Sequence, residues 1–303
     1  VNYNHKDSAS FFFLATVTLL ALGLITANPL FNLHIPFSVN FLIGFIGVLL
    51  VYVVWHSILT KGWKRSLGMF LLSFLVAFTA EALGVNFGLV FGNYYYTPAL
   101  GAQLFGVPFL AALAWEPIVY ASFSITDILA PLLVDHSDSW LKRFPSYLWM
   151  AVAGALATTA WDMMIDPIAV SQGWWVWEHG GNYLPYLANG VPIQNFLGWL
   201  GVAFVINMIY RLVVDGEPTP RRSLNLSIYG PLMLYSALFL TSFGVTLTVL
   251  ERPEVALIGL LAMGPFIVIA LTNVNLIQRG LSTLLGAGWL DGEIEKRPVK
   301  TSH

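Results

Sequence analysis

SYLWMAVAGALATTAWDMMIDPIAVS, residues 146–171, decides the fold class. A helix needs about 20 mostly apolar residues to cross a bilayer, and this run exceeds that. It contains no lysine or arginine, yet it carries Asp162 and Asp166. Runs of similar length recur along the 303 residues, which are 57% hydrophobic and 10% charged. A soluble domain carries about 25% charged residues. The chain therefore reads as all-α, a polytopic integral membrane helix bundle.

Eight spans fit: 10–30, 37–59, 66–92, 107–134, 146–171, 192–213, 225–250 and 255–278. The first reads as a true span rather than a signal peptide, because no small-residue cleavage site follows it. The basic residues support the count. With the N-terminus inside, all lysines and arginines except Arg252 fall on the inner side. Both ends are then cytoplasmic. Residues 1–290 form one transmembrane helical domain, and 291–303 form a polar tail. A net charge of −2 argues against nucleic acid as a partner. With no cysteine, thiolate and iron–sulfur chemistry are excluded.

Five acids lie within these apolar runs without a basic residue in the same run: Glu81, Glu116, Asp127, Asp162 and Asp166. A charged acid at a helix centre costs roughly 2.5–3.5 kcal/mol on insertion scales. Such groups stay neutral or share hydrogen bonds with polar neighbours. The topology places all but Asp127 in the outer half of the bilayer. Asp162 and Asp166 share a helix face, extended by Thr158, and two carboxyl groups so close titrate as one coupled pair. Pro167 beside Asp166, and Pro117 beside Glu116, predict local breaks in their helices. Glu116, Tyr120, Ser124 and Asp127 form a polar stripe along the fourth span. Gly84, Gly88 and Gly92 predict close helix approach beside Glu81.

The outer segments nearest the acids are aromatic: Tyr94-Tyr95-Tyr96, and Trp174-Trp175-Val176-Trp177 followed by Glu178 and His179. Tyrosine and tryptophan are ordinary interface anchors at that depth. Bracketing an acid cluster, they also predict a roofed pocket. Any single buried acid is explicable as a structural hydrogen-bond partner, but five together are not. No histidine pair has the spacing of a metal site. An all-carboxylate Mg²⁺ site has only Asp162 and Asp166 to offer.

At these motifs the chain resembles the membrane-bound carotenoid biosynthesis family that includes carotenoid 1,2-hydratases and the haloarchaeal bisanhydrobacterioruberin hydratase. The resemblance rests on Glu81-Ala-Leu-Gly84, Phe91-Gly-Asn-Tyr94-Tyr-Tyr96 and Val107-Pro108 through Trp115-Glu116-Pro117. It continues through Trp161-Asp162, Asp166-Pro-Ile-Ala-Val170, Trp174 to Trp177, and Gly190-Val-Pro-Ile-Gln-Asn195-Phe-Leu-Gly-Trp199. These cover roughly residues 80–200.

The resemblance implies a hydro-lyase that adds water across the terminal C1–C2 double bond of an acyclic carotenoid end, C40 or C50, with no cofactor and no metal. An acid protonates C2, a tertiary cation forms at C1, and water is captured there. The acid and base roles fall to Asp162 and Asp166, in undecided order, with Glu81 and Glu116 orienting water or sharing the proton. Trp115, Trp161 and Trp174 are expected to face the cation, a contact worth about 2 kcal/mol when desolvated. Tyr94, Tyr120, Asn195 and Asp127 complete the substrate-binding set.

The partners are the polyene, water and the lipid bilayer, and self-association into a homo-oligomer stays open. Two alternatives also stay open. A lycopene-type cyclase begins with the same protonation but captures the cation with an alkene. A proton-coupled transporter uses intramembrane acids as relays, though it needs a path through both leaflets.

Overall fold

The computed structural model describes residues 12, 13, 16, 17, 20, 39–129, 140–178, 190–215 and 229–278. Among them are seven helices long and apolar enough to cross a membrane. They are α1 (Val39–Lys61), α2 (Trp63–Phe87), α3 (Phe109–Leu129), α4 (Trp140–Ser171), α5 (Ile193–Ile209), α6 (Tyr229–Thr248) and α7 (Pro253–Gln278). The chain is a multi-pass membrane protein with an all-α bundle. Most of the expected 10–30 span, His179 and the 291–303 tail lie outside the described residues.

Burial sorts the helices. The most apolar 18-residue window of α3 is 72% buried, whereas that of α7, the most hydrophobic helix, is 28% buried. A helix facing lipid needs apolar residues all round, so hydrophobicity here marks the periphery. The most buried windows are those of α3 and α6, at 72% and 67%. Four of the five acids lie on α3 and α4, and Glu81 lies on α2.

Two local expectations need correction. The span expected to reach residue 92 ends at Phe87. Gly88 takes the left-handed conformation at φ 66°, and its amide returns to the Gly84 carbonyl at 2.8 Å, with Leu89 bonding to Leu83 at 3.3 Å. That is a glycine helix stop. The break expected at Pro167 does not form, for α4 runs helically past Pro145 and Pro167 to Ser171. Proline removes one donor without ending the helix, and Met163 loses its helical hydrogen-bond partner. Likewise α3 continues through Pro117.

The aromatic segments do more than anchor. Strand β1 (Tyr94–Tyr96) pairs antiparallel with a strand at Trp175–Trp177, with Tyr94 opposite Trp177 and Tyr96 opposite Trp175. Between them in sequence lies a short hairpin of β2 (Gln103–Leu104) and β3 (Val107–Pro108), which makes Trp175–Trp177 β4. Alternation puts Tyr94, Tyr96, Trp175 and Trp177 on one face. Their cross-strand ring centroids are 5.7 Å apart in both pairs. Tyr95 and Val176 face outward. Thr97 ties the ribbon to the end of α4, its amide reaching the Trp174 carbonyl at 3.0 Å and its hydroxyl the Gly173 carbonyl at 2.8 Å.

Candidate active site

Beneath this ribbon lies a cavity with about 1120 Å³ of empty space, including its open side. Its polar groups are few. Glu81 from α2, Asp166 from α4 and Asn195 from α5 reach it, with Thr241 and Ser242 from α6. Aromatic rings from the ribbon and from α3, α4 and α5 form much of the rest.

Glu81 is the focus of three donors. Trp115 Nε1 donates to Oε1 at 3.1 Å, Tyr96 Oη donates to Oε2 at 2.9 Å, and Tyr94 Oη donates to the same Oε2. Burial first, and the neighbouring Glu81 second, push the Tyr94 and Tyr96 hydroxyls well above the ordinary tyrosine range. Both therefore remain protonated donors. Tyr94 fits because residue 84 is glycine. A Cβ there would stand 2.8 Å from Tyr94 Cε1 and 3.1 Å from its hydroxyl. The expected glycine series thus has a different purpose: Gly84 admits a ring, while Gly88 and Gly92 lie beyond the helix with positive φ. Gly84→Ala is expected to displace Tyr94 from Glu81 and to cost roughly 1–3 kcal/mol of stability, the usual range for overpacking. Thermal unfolding of the purified protein checks this, and an unchanged midpoint would contradict it.

Asp162 and Asp166 lie one helical turn apart, as their spacing predicts, and are 0% and 1% exposed. The Asn195 amide bridges them. Its Nδ2 donates to Asp162 Oδ2 at 3.0 Å and also to Asp166 Oδ2. Only Asp166 lines the cavity, and Asp162 sits behind it with Oδ1 buried and unpartnered. Trp199 stacks on Trp115 at 3.9 Å and meets Trp161 edge-on at 6.2 Å. Trp161 is held by a bond from Nε1 to Ser242 Oγ at 3.0 Å. Trp174 packs against Leu100 and Ala169 at the cavity edge. The profile of the carotenoid biosynthesis proteins matches residues 37–265, and these helices and the ribbon fall within it.

The chain belongs to that family. It is 30% identical over 150 residues to the bisanhydrobacterioruberin hydratase of Haloarcula japonica. That alignment covers 49% of this chain and 45% of the hydratase. No solved structure matches the chain at a significant level.

The structure therefore brings together Glu81, Asp162, Asp166, Asn195, Tyr94, Trp115, Trp161 and Trp174 in this carotenoid biosynthesis protein. Three expected residues stand apart. Glu116 is buried but lies off the cavity wall, between Trp115 and Pro117, which line it. Tyr120 Oη bonds to His56 Nδ1 at 2.6 Å, away from the cavity. Asp127 lies at the end of α3 remote from the ribbon. There Arg211 Nη1 meets it at 2.8 Å and Lys61 Nζ at 3.5 Å. Asp127, whose own apolar run carries no basic residue, is thus the one of the five acids to which other elements bring basic partners among the described residues. Arg211 reaches it from a π-helical turn, Tyr210–Asp215, that extends α5. Asp127→Ala is expected to cost about 2 kcal/mol, less than the 3–5 of a fully buried pair because Asp127 keeps some water contact. It should leave the activity of the folded fraction unchanged, which unfolding and rate measurements on the same sample would test.

Thr241 and Ser242 escaped the sequence reading. Serine and threonine in apolar helices usually bond back to their own helix, as Thr241 does to Ala237 at 2.7 Å, so neither residue type stands out. Trp199 is visible in sequence, but its stacking on Trp115 is not.

Proposed function

We propose that the protein is a carotenoid hydratase that adds water to the terminal double bond of an acyclic carotenoid end, C40 or C50, by acid catalysis without a cofactor. One observation carries this reading. Two carboxyl groups line a mostly apolar, aromatic cavity: Asp166, bridged to Asp162 behind it by the Asn195 amide, and Glu81, held by three donors. The similarity to a bisanhydrobacterioruberin hydratase supports it.

In this reading the Asp162–Asp166 pair holds one proton between two carboxyl groups, since two such neighbours do not both ionise in a dry site until a positive charge, here the C1 cation, forms beside them. Asp166, the member facing the cavity, gives that proton to C2. The π electrons form the new C–H bond and leave a tertiary cation at C1. The stacked Trp115 and Trp199, with Trp161 at their edge, present π faces to it. Water adds at C1 and its proton restores the pair, closing the cycle. Glu81 accepts a hydrogen bond from the incoming water and balances the cation's charge. The ribbon excludes bulk water, which strengthens these interactions. The polyene beyond the end group lies along the apolar walls toward the lipid. The basic-residue asymmetry supports eight spans with both ends inside, so the cavity lies under the outer surface.

The test is expression in a host that accumulates an acyclic C40 carotenoid, and again with a C50 substrate. A product heavier by one water is the expected result. An isomer of unchanged mass with a shortened chromophore would instead mean cyclisation. No product with either substrate would overturn both enzyme readings.

A further inference from the structure

A second buried polar cluster lies on the side of the cavity away from the ribbon. Tyr52 and His56 from α1, Ser73 from α2, and Glu116 and Tyr120 from α3 form it. Their exposures are all 3% or less. Ser73 stands beside Glu116. The His56 ring stacks on Tyr52 at 5.5 Å and bonds to Tyr120. Gly230 of α6 closes the group: a Cβ there would fall 2.3 Å from Tyr52 Oη and 2.7 Å from His56 Nε2.

Tyr52 Oη and Glu116 Oε2 have no hydrogen-bond partner among the described residues, and Ser73 Oγ has only the Glu116 carboxyl beside it. Buried polar atoms in native proteins almost always have partners, and where protein supplies none, ordered water does. The two hydroxyls and the carboxyl come from three helices, and a buried water takes two to four such polar partners. Dry, each atom would carry its full desolvation cost.

The cluster also touches the cavity wall. Glu116 lies between two wall residues, Trp115 and Pro117, and Tyr52 lies one turn from the wall residue Leu49. Pro117 has no N–H, so the Leu113 carbonyl loses its helical partner and offers a further acceptor at the boundary. Hydration consumes one water per turnover, yet the cavity itself is largely apolar and roofed by rings.

We propose that this cluster is a water-binding site that stores the second substrate beneath the cavity and passes it to the cation at C1. The proposal rests on the hydratase reading. It gives Glu116 a role the cavity geometry does not, as a water holder rather than an acid. It also explains why Tyr52 and Ser73 keep hydroxyls in the interior of a membrane helix bundle.

The test separates water capture from protonation. The full chain is reconstituted in phospholipid vesicles with an acyclic C40 carotenoid in deuterated buffer. A cation captured by water appears as hydrate. A cation that loses a proton again appears as recovered substrate carrying deuterium at C2. Glu116→Leu, and Tyr52→Phe combined with Ser73→Ala, are expected to lower the ratio of hydrate to exchanged substrate about tenfold, the scale of one lost bound-water contact. Glu116→Gln, which keeps polar atoms in place, should hold the ratio within about twofold. The oxygen deletions remove one atom each, so they keep the test open if Glu116→Leu fails to fold. If these variants leave the ratio unchanged, or lower hydrate and exchange in proportion, the water site is wrong. If the wild type makes no hydrate, the hydratase reading itself falls, and that outcome is distinct from the other two.

Discussion

Asp166→Asn is expected to yield a folded protein whose hydration rate falls about 10³-fold or more, the upper part of the range for loss of a general acid. The size follows from the arrangement. An alkene has no lone pair to accept a hydrogen bond, so protonation needs an acid at contact distance. Asp166 is the member of the pair that lines the cavity, whereas Asp162 sits behind it. An asparagine keeps the shape and an oxygen to meet the Asn195 amide, but it carries no transferable proton. A 10³-fold loss corresponds to about 4 kcal/mol of barrier.

Asp162→Asn should behave differently. Asp166 keeps its carboxyl group and its bond from Asn195. What it loses is the partner that holds the proton in reserve, so a fall of about tenfold is expected, at the modest end of proton-transfer effects. Neither change should lower the unfolding midpoint, because each removes an ionisable group from a fully buried position. Rates measured in vesicles at saturating substrate, with melting curves on the same preparations, decide the matter. Equal losses in the two variants would mean the pair has no inner and outer member. Full activity in Asp166→Asn would remove it from the chemistry.

The unequal positions of these two acids show where sequence reading ends. Their spacing of four, and their shared helix face, follow from the 3.6-residue period alone. Which of them borders the cavity depends on the packing of α5 and the ribbon, and no local pattern encodes it. The seven spans among the described residues were legible, apart from the end at residue 92, because length and apolarity are imposed by the bilayer rather than by neighbours. Depth was legible in part: span direction puts Glu81, Glu116, Asp162 and Asp166 in one half of the bilayer with Asn195 beside them, and all but Glu116 meet at the cavity.

Partners distant in sequence were not legible. Arg211 and Asp127 are 84 positions apart, and each reads on its own as an end-of-helix charge. The pairing of Tyr94–Tyr96 with Trp175–Trp177 joins two segments that, taken singly, are indistinguishable from interface anchors. Gly84, Gly88 and Gly92 have a helical spacing that means packing in one context and a helix stop in another. Only the left-handed φ at Gly88 separates the two. Depth groups Glu116 with the other acids, but one step of about 100° along the helix turns it off the cavity wall that Trp115 lines.

Glu81→Gln is expected to lower hydration about 10²-fold, the scale of removing one electrostatic stabiliser from a preorganised site. Three donors aim at this carboxylate, two from the ribbon and one from the Trp115 indole. Glutamine replaces one acceptor oxygen by an NH₂ group. Either the Trp115 Nε1–H or the two tyrosine hydroxyls then face a donor. The loss is therefore double. The cation no longer has a full negative charge beside it, and the ribbon loses an acceptor that holds Tyr94 and Tyr96 over the cavity. An unfolding penalty of about 1–3 kcal/mol should accompany the rate effect, the cost of leaving a buried donor unsatisfied. Tyr96→Phe separates the two contributions. It removes one donor without touching the charge, so it should share a small part of the stability loss and change the rate by no more than about tenfold, the scale of one hydrogen bond. If Tyr96→Phe matches Glu81→Gln in rate, Glu81 acts only by holding the ribbon. If Glu81→Gln turns over like the wild type, the carboxylate contributes neither charge nor water orientation, and the carboxyl pair on α4 must manage both proton transfers unaided.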